Sequence, residues 1–132
     1  MAVIPQEAYG EAAERLYGDG VLLQEQGRMA TACHLYGLAA ECALKQCLTH
    51  FIGRTADIPH KHLPDLVNDA KRLVGGRKFK GLAVLLNKAD YMDSWRVENR
   101  YWATATFSVT QCKQYREHAC RTLIAAGLGG VP

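Results

Sequence analysis

The segment Trp95-Arg-Val-Glu-Asn-Arg-Tyr-Trp102 packs two arginines, a carboxylate, an amide and three aromatic rings into eight residues. Arginine offers permanently charged, bidentate contacts to phosphate. Aromatic rings offer stacking platforms for bases. Together they suit a nucleotide or single-stranded RNA better than a hydrophobic ligand. In a catalytic version, Arg96 or Arg100 would hold a scissile phosphate and stabilise its developing charge, with Tyr101 beside them. A tyrosine of ordinary pKa, about 10, is a poor general base at neutral pH, but it can orient a phosphate or donate a proton. Glu98, Asn99 and Trp102 would complete the binding surface. The competing interpretation is a packed corner, with the tryptophans as core and the arginines paired with Glu98 or Asp93.

Two further groups carry polar chemistry. His34, Glu41 and Lys45 fall with Leu38 on one stripe of an otherwise apolar helix. Glu41 and Lys45 stand in the favourable order for an ion pair four residues apart. The stripe is either a structural pair at the margin of a bundle or the floor of a site. The stretch Asp57-Ile-Pro-His60-Lys-His62-Leu-Pro-Asp65 holds two histidines and two acids. Two histidines two apart on a loop make a weak metal set. His62 is better suited to anchoring the helix that opens at Pro64, so neither a metal nor a cofactor is expected. Cys33, Cys42, Cys47, Cys112 and Cys120 are odd in number and form no C-x-x-C, which argues for buried free thiols over disulfides or zinc.

Apolar residues recur at three- and four-residue spacing, and period-two alternation is nearly absent, so these groups must be positioned by helices. The pattern predicts an all-α, single-domain, up-and-down bundle of four to five helices over residues 1–132, with 127–132 a frayed tail. Helices are expected at about 6–26, 29–51, 64–74, 78–88 and 109–126. Gly10, Gly18 and Gly20 are expected to weaken or bend the first. The second, apolar nearly all round, should be the central helix, closed by Gly53. Leu63, Leu66, Val67, Ala70, Leu73 and Val74 should line the inside of the third. Phe79, Leu82, Leu85 and Leu86 should do so in the fourth. In the fifth the inward set is Val109, Cys112, Tyr115, Ala119, Leu123 and Ile124, with a capping-box signature at Ser108 and Gln111. Residues 89–106 show neither period. A long irregular stretch in a compact domain is usually functional or disordered, and so many aromatics argue against disorder.

The chain has 132 residues, 48% hydrophobic and 22% charged, the profile of a globular domain that excludes collagen, a disordered tail and a disulfide-stapled scaffold. No apolar run is long enough to span a membrane, and residues 1–10 lack a signal-peptide pattern, so a cytoplasmic location with no membrane partner is expected. Net charge is only +3, but it is unevenly spread. Residues 1–27 carry Glu7, Glu11, Glu14, Asp19 and Glu25 against Arg15, whereas residues 71–80 carry Lys71, Arg72, Arg77, Lys78 and Lys80 and no acid. Such asymmetry suits an anionic partner or an intersubunit contact, or simply a solvated basic helix end.

The segment His34-Leu-Tyr-Gly-Leu-Ala-Ala-Glu-Cys-Ala-Leu-Lys45 resembles the central helix of HEPN domains. His62-Leu-Pro-Asp-Leu66 is similar to the histidine–leucine segment that opens that family's next helix, and Arg96 to Trp102 resembles its arginine-containing patch near the last helix. The resemblance covers about two thirds of the chain. It implies a helical bundle that usually dimerises, in a prokaryotic defence or toxin–antitoxin setting. Many such proteins are metal-independent endoribonucleases that pair an arginine with a histidine five to seven residues later across the dimer. Others bind nucleotides or act as scaffolds, some beside nucleotidyltransferases. Here neither Arg96 nor Arg100 is followed by a histidine at that distance; Tyr101 follows Arg96 by five. The spacing does occur from Arg28 to His34 and from Arg54 to His60.

Three functions follow as expectations. The first is a ribonuclease using Arg96, Arg100 and Tyr101, or a histidine that folding brings near them. The second is a module that binds RNA, a nucleotide or an acidic protein through the arginine–aromatic patch and the basic run, with His34, Glu41, Lys45 and His62 in its walls. The third is a structural homodimer or partner of a cognate toxin, antitoxin or nucleotidyltransferase, its arginines consumed in salt bridges.

Overall fold

The computed structural model describes residues 7–54, 57–74 and 80–129; their regular structure is all helical, with no strand among them. In chain order they form α1 (Tyr9–Glu25), α2 (Met29–Ile52), α3 (Asp65–Leu73), α4 (Lys80–Leu86), 3-10 helices at Val97–Tyr101 and Thr104–Thr106, and α5 (Val109–Ala125). None of these helices is long and apolar enough to cross a membrane. Of the basic run, Arg77 and Lys78 lie outside the described residues, as do Phe79 and residues 130–132 of the tail.

The core is built around α2. Ala32, Ala39, Ala40, Ala43, Leu44 and Leu48 are sealed from solvent, together with Cys33, Tyr36 and Cys47. Gly10 meets Gln46, and the Tyr36 hydroxyl donates to the Gln24 side chain, so α1 runs antiparallel to α2. Arg116 on α5 reaches Gln24, and Leu128 lies against Gly10, so α5 is also antiparallel to α1 and runs the same way as α2. Residues 53–108 carry the chain back between these two parallel helices. The short helices α3 and α4 close the core through Leu66, Ala70, Leu82, Leu85 and Leu86. Helix α2 ends where Gly53 adopts a left-handed φ of 81°, a geometry that costs glycine nothing.

The structure corrects several local expectations. Helix α1 runs unbroken through its three glycines. Leu73, Val109 and Ile124 are exposed, not inward. On α5 the inner face instead takes in His118, Cys120 and Thr122, whose polar atoms are absorbed by hydrogen bonds or thiol burial. The Ser108 Oγ accepts the Gln111 N–H at 3.1 Å, but the Gln111 side chain donates to Tyr115 and does not close the capping box.

The irregular stretch is docked on α2 by one contact. A Cβ added to Gly37 would fall 2.0 Å from the Trp95 indole, so the ring occupies the place of a side chain. Trp95 is fully buried, and its Nε1 donates to the His34 carbonyl at 3.3 Å. Gly18, by contrast, faces open space. Two glycines of similar helical propensity should therefore respond oppositely to alanine. Gly37→Ala should lower stability by about 2–3 kcal/mol through overpacking. Gly18→Ala should raise it by about 0.5–1 kcal/mol. Urea midpoints of the two variants check this, and equal shifts would contradict it.

Candidate functional site

The arginine-bearing segment is a run of tight turns closed by its own backbone bonds, and side chains of α5 tie it down. Met92 (φ 49°) and Ser94 (φ 67°) sit in the left-handed region, which carries a local cost of roughly 1 kcal/mol each. Three contacts hold them there. The Met92 N–H donates to His118 Nδ1 at 3.0 Å, the Tyr115 hydroxyl donates to the Asp93 carbonyl at 2.6 Å, and the Tyr91 and Thr122 hydroxyls share a 2.7 Å bond. Trp95 then plugs into α2, and the buried Asn99 Oδ1 accepts the Arg96 N–H at 3.2 Å, which starts the Val97–Tyr101 helix. Asn99 is thus a structural cap on the turn as well as part of its wall.

Arg96 and Arg100 flank that helix. Arg96 precedes it in extended backbone and Arg100 lies in its last turn, and the two guanidinium groups look into different hollows. The first, about 320 Å³, is lined by Arg100, Asn99, Trp102, Phe107, Thr31 and His34. The Trp102 and Phe107 rings lie 6.1 Å apart. Arg100 also lies 4.8 Å from the centre of the Tyr101 ring, which is itself 75% exposed. The second hollow, about 420 Å³, holds Arg96, Glu98, Asp65, His60, Lys61 and His62. Arg96 donates to the Trp95 carbonyl at 3.0 Å. Among the described residues no carboxylate lies within 4 Å of either guanidinium.

His34 forms the back of the first hollow. It is buried and stacked on Trp95 with centroids 5.3 Å apart, and its Nδ1 has no hydrogen-bond partner in the protein. Burial, and then the Arg100 guanidinium, hold its pKa below the ordinary imidazole range, against a smaller opposing pull from Glu41. The ring is therefore neutral at pH 7, a form that can take up a proton. Folding thus places a histidine of α2 beside Arg100, although their order and separation in the chain give no hint of it. Of the two close arginine–histidine spacings, Arg54 pairs with Asp57 and Arg28 is exposed at the start of α2.

Glu41 organises the second hollow from below. Its carboxylate, 4% exposed, lies 3.0 and 3.1 Å from His62 Nδ1, accepts the Leu63 N–H at 3.2 Å, and faces the Lys45 ammonium at 3.5 Å. An ionised carboxylate only accepts, so Nδ1 donates, and in the neutral ring that leaves the lone pair on Nε2. That is how a carboxylate fixes the tautomer of a general base. The His62 side chain is half exposed, on the wall it shares with Arg96. Lys45 is buried and lies 5.5 Å from the Tyr9 ring centre, outside both hollows. Helix α2 therefore carries His34 to one hollow and Glu41 to the other, an arrangement the single-stripe expectation did not resolve.

No protein-family model, curated protein or solved structure matches the chain.

Two outcomes test this geometry. Glu41→Gln should cost about 3 kcal/mol, because it leaves the buried Lys45 ammonium without a counter-charge. Lys45→Met should cost clearly less, and a double-mutant cycle by urea unfolding measures the difference. The pH dependence has a fixed sign. His34 and His118 both titrate below the unfolded histidine value of 6.5, with burial the first cause in each. The stability tied to their neutral forms is complete above pH 6.5 and is lost as pH falls through their folded values. The urea midpoint should therefore drop between pH 7.5 and 5, and His118→Gln should flatten the slope. A midpoint that rises on acidification would refute the assignment.

Proposed function

We propose that this chain is a HEPN-like protein of a prokaryotic defence or toxin–antitoxin system that binds RNA or nucleotides. Its binding centre is the hollow between α2 and the Val97–Tyr101 helix. The observation that supports this most directly is the Arg100 guanidinium, free of carboxylates at the mouth of a hollow walled by Trp102 and Phe107. A permanent cation beside the exposed Trp102 ring, with half-buried Phe107 behind it, suits a phosphate joined to a base. His34, neutral and short of one hydrogen bond, faces the same space. A cytoplasmic homodimer, with a cognate toxin, antitoxin or nucleotidyltransferase as partner, belongs to this reading through the resemblance of its second helix and arginine patch.

A second reading, metal-independent RNA cleavage, is favoured by the Glu41–His62 pair beside Arg96. His62 Nε2 would take the proton of a ribose 2′-hydroxyl. The freed oxygen would attack phosphorus, the bond to the 5′ oxygen would break with that oxygen taking a proton from water, His62 would return its proton to solvent, and Arg96 would balance the charge on the phosphoryl oxygens. The alternative to both is a non-catalytic module for dimerisation or partner binding.

Fluorescence anisotropy with labelled single-stranded RNA and with nucleotides, across a potassium chloride series, separates these readings. Binding should weaken steeply with salt, and Arg100→Ala should cost about 1–2 kcal/mol and flatten the salt slope by about one contact. Binding unchanged by that substitution would remove the hollow as the site. Cleavage in the presence of a chelator, lost in both His62→Gln and Arg96→Ala, would establish the second reading. RNA left intact by wild-type protein would eliminate it.

A further inference from the structure

A third concavity lies on the opposite side of α5, where no feature of the arginine–aromatic patch reaches. It is the largest of the described hollows, about 460 Å³, a size that suits a small organic ligand. Tyr17 of α1 and Cys120 and Ile124 of α5 give it a predominantly apolar wall. Ile124 is 55% exposed, an apolar side chain left largely uncovered among the described residues. The apolar floor continues past Ile124 onto Val84 and Leu85 of α4.

The polar groups on this wall are unevenly paired. Glu117 is the one acid, and it is taken up by Arg121 at 2.8 Å. Arg116 contacts the neutral Gln24 side chain at 3.4 Å and hydrogen-bonds Tyr17, with Glu25 acting on it from farther off; among the described residues no carboxylate stands within 4 Å of it or of Lys113. The hollow thus presents an apolar body site closed at one end by two cations that have no carboxylate in contact among the described residues. A purely apolar ligand would leave those charges unanswered, and a purely polar anion would leave Ile124 and Cys120 in water. We infer that the groove between α1 and α5 binds a small amphipathic anion: an apolar ring or chain that ends in a carboxylate, sulfonate or phosphate held by Arg116 and Lys113.

The test uses the full chain with anilinonaphthalene sulfonate as the fluorescent probe and decanoate and decanol as competitors. The probe should bind the native protein at one saturable site, and decanoate should displace it at least about tenfold more effectively than the neutral alcohol. Arg116→Met, which keeps an apolar stem, should weaken binding by about tenfold, and Ile124→Asp should abolish it. Near-ultraviolet circular dichroism from the buried Trp95 reports whether each variant is folded. If Arg116→Met does not fold, Lys113→Met at an exposed position serves in its place, with the same direction expected. Equal displacement by decanol, or binding unaffected by Arg116→Met or its substitute, would overturn the proposal. So would failure of the probe to bind while sedimentation shows a dimer that Ile124→Asp splits, because the groove would then be covered by a second copy.

Discussion

The Trp95 indole fills the space that any side chain at position 37 would occupy, and the position of the arginines follows from that. A 3-10 helix of five residues has little stability of its own, since its hydrogen bonds are few and poorly aligned. Val97–Tyr101 holds its place because the residue two before it is buried in α2 and its own Asn99 locks the first turn. The same indole forms the stacking partner of His34. One buried ring therefore sets both the arginine-bearing turn and the histidine behind Arg100. The left-handed residues Met92 and Ser94 lie just ahead of it, where the chain must turn sharply to deliver the ring. The bonds from His118 and Tyr115 offset their cost.

Helix α2 is unusual in carrying ionic groups where its neighbours are sealed from water. A buried ion pair is seldom favourable for stability, because desolvation offsets most of the attraction. Glu41 is tolerated because it does more than pair with Lys45: it also accepts the Leu63 N–H and orients the His62 ring, so its lone pairs are filled. Those bonds fasten the chain just ahead of α3 to the central helix. The structural account and the catalytic one use the same atoms. A carboxylate that anchors a loop through a histidine also fixes that histidine's tautomer, and only a substrate-dependent measurement separates the two roles.

Much of the architecture was legible from spacing. The apolar, nearly faceless pattern of residues 29–51 marks a helix buried all round, and α2 is that helix. Its end at Gly53 and the start of α5 at Ser108 follow from local chemistry. What spacing could not convey is contact between distant elements. Gly37 reads as a mild weakness in a helix, and only the fold shows it as a socket for Trp95. His34 and Arg100 lie 66 positions apart in the numbering, and they meet only because Trp95 draws the later segment onto α2. The inward assignment of Val109 and Ile124 failed for a related reason. A helix at the edge of a small bundle has too little neighbouring surface to cover its whole apolar stripe, so its ends stay exposed.

The alternative of salt-bridged arginines fails on geometry at Glu98. That residue lies two positions from both Arg96 and Arg100, within easy reach if the segment were extended. Glu98 shares the second hollow with Arg96 but stays more than 4 Å from its guanidinium, and on the 3-10 helix a separation of two, about 240° of rotation, turns it away from Arg100. Several of the ion pairs that do form run between residues three or four apart on regular helices, such as Glu117 with Arg121 and Glu41 with Lys45. The short, tight helix denies its arginines that option. Their charge is left to solvent or to an anion from outside, not because acids are scarce but because the backbone holds the nearest one out of line.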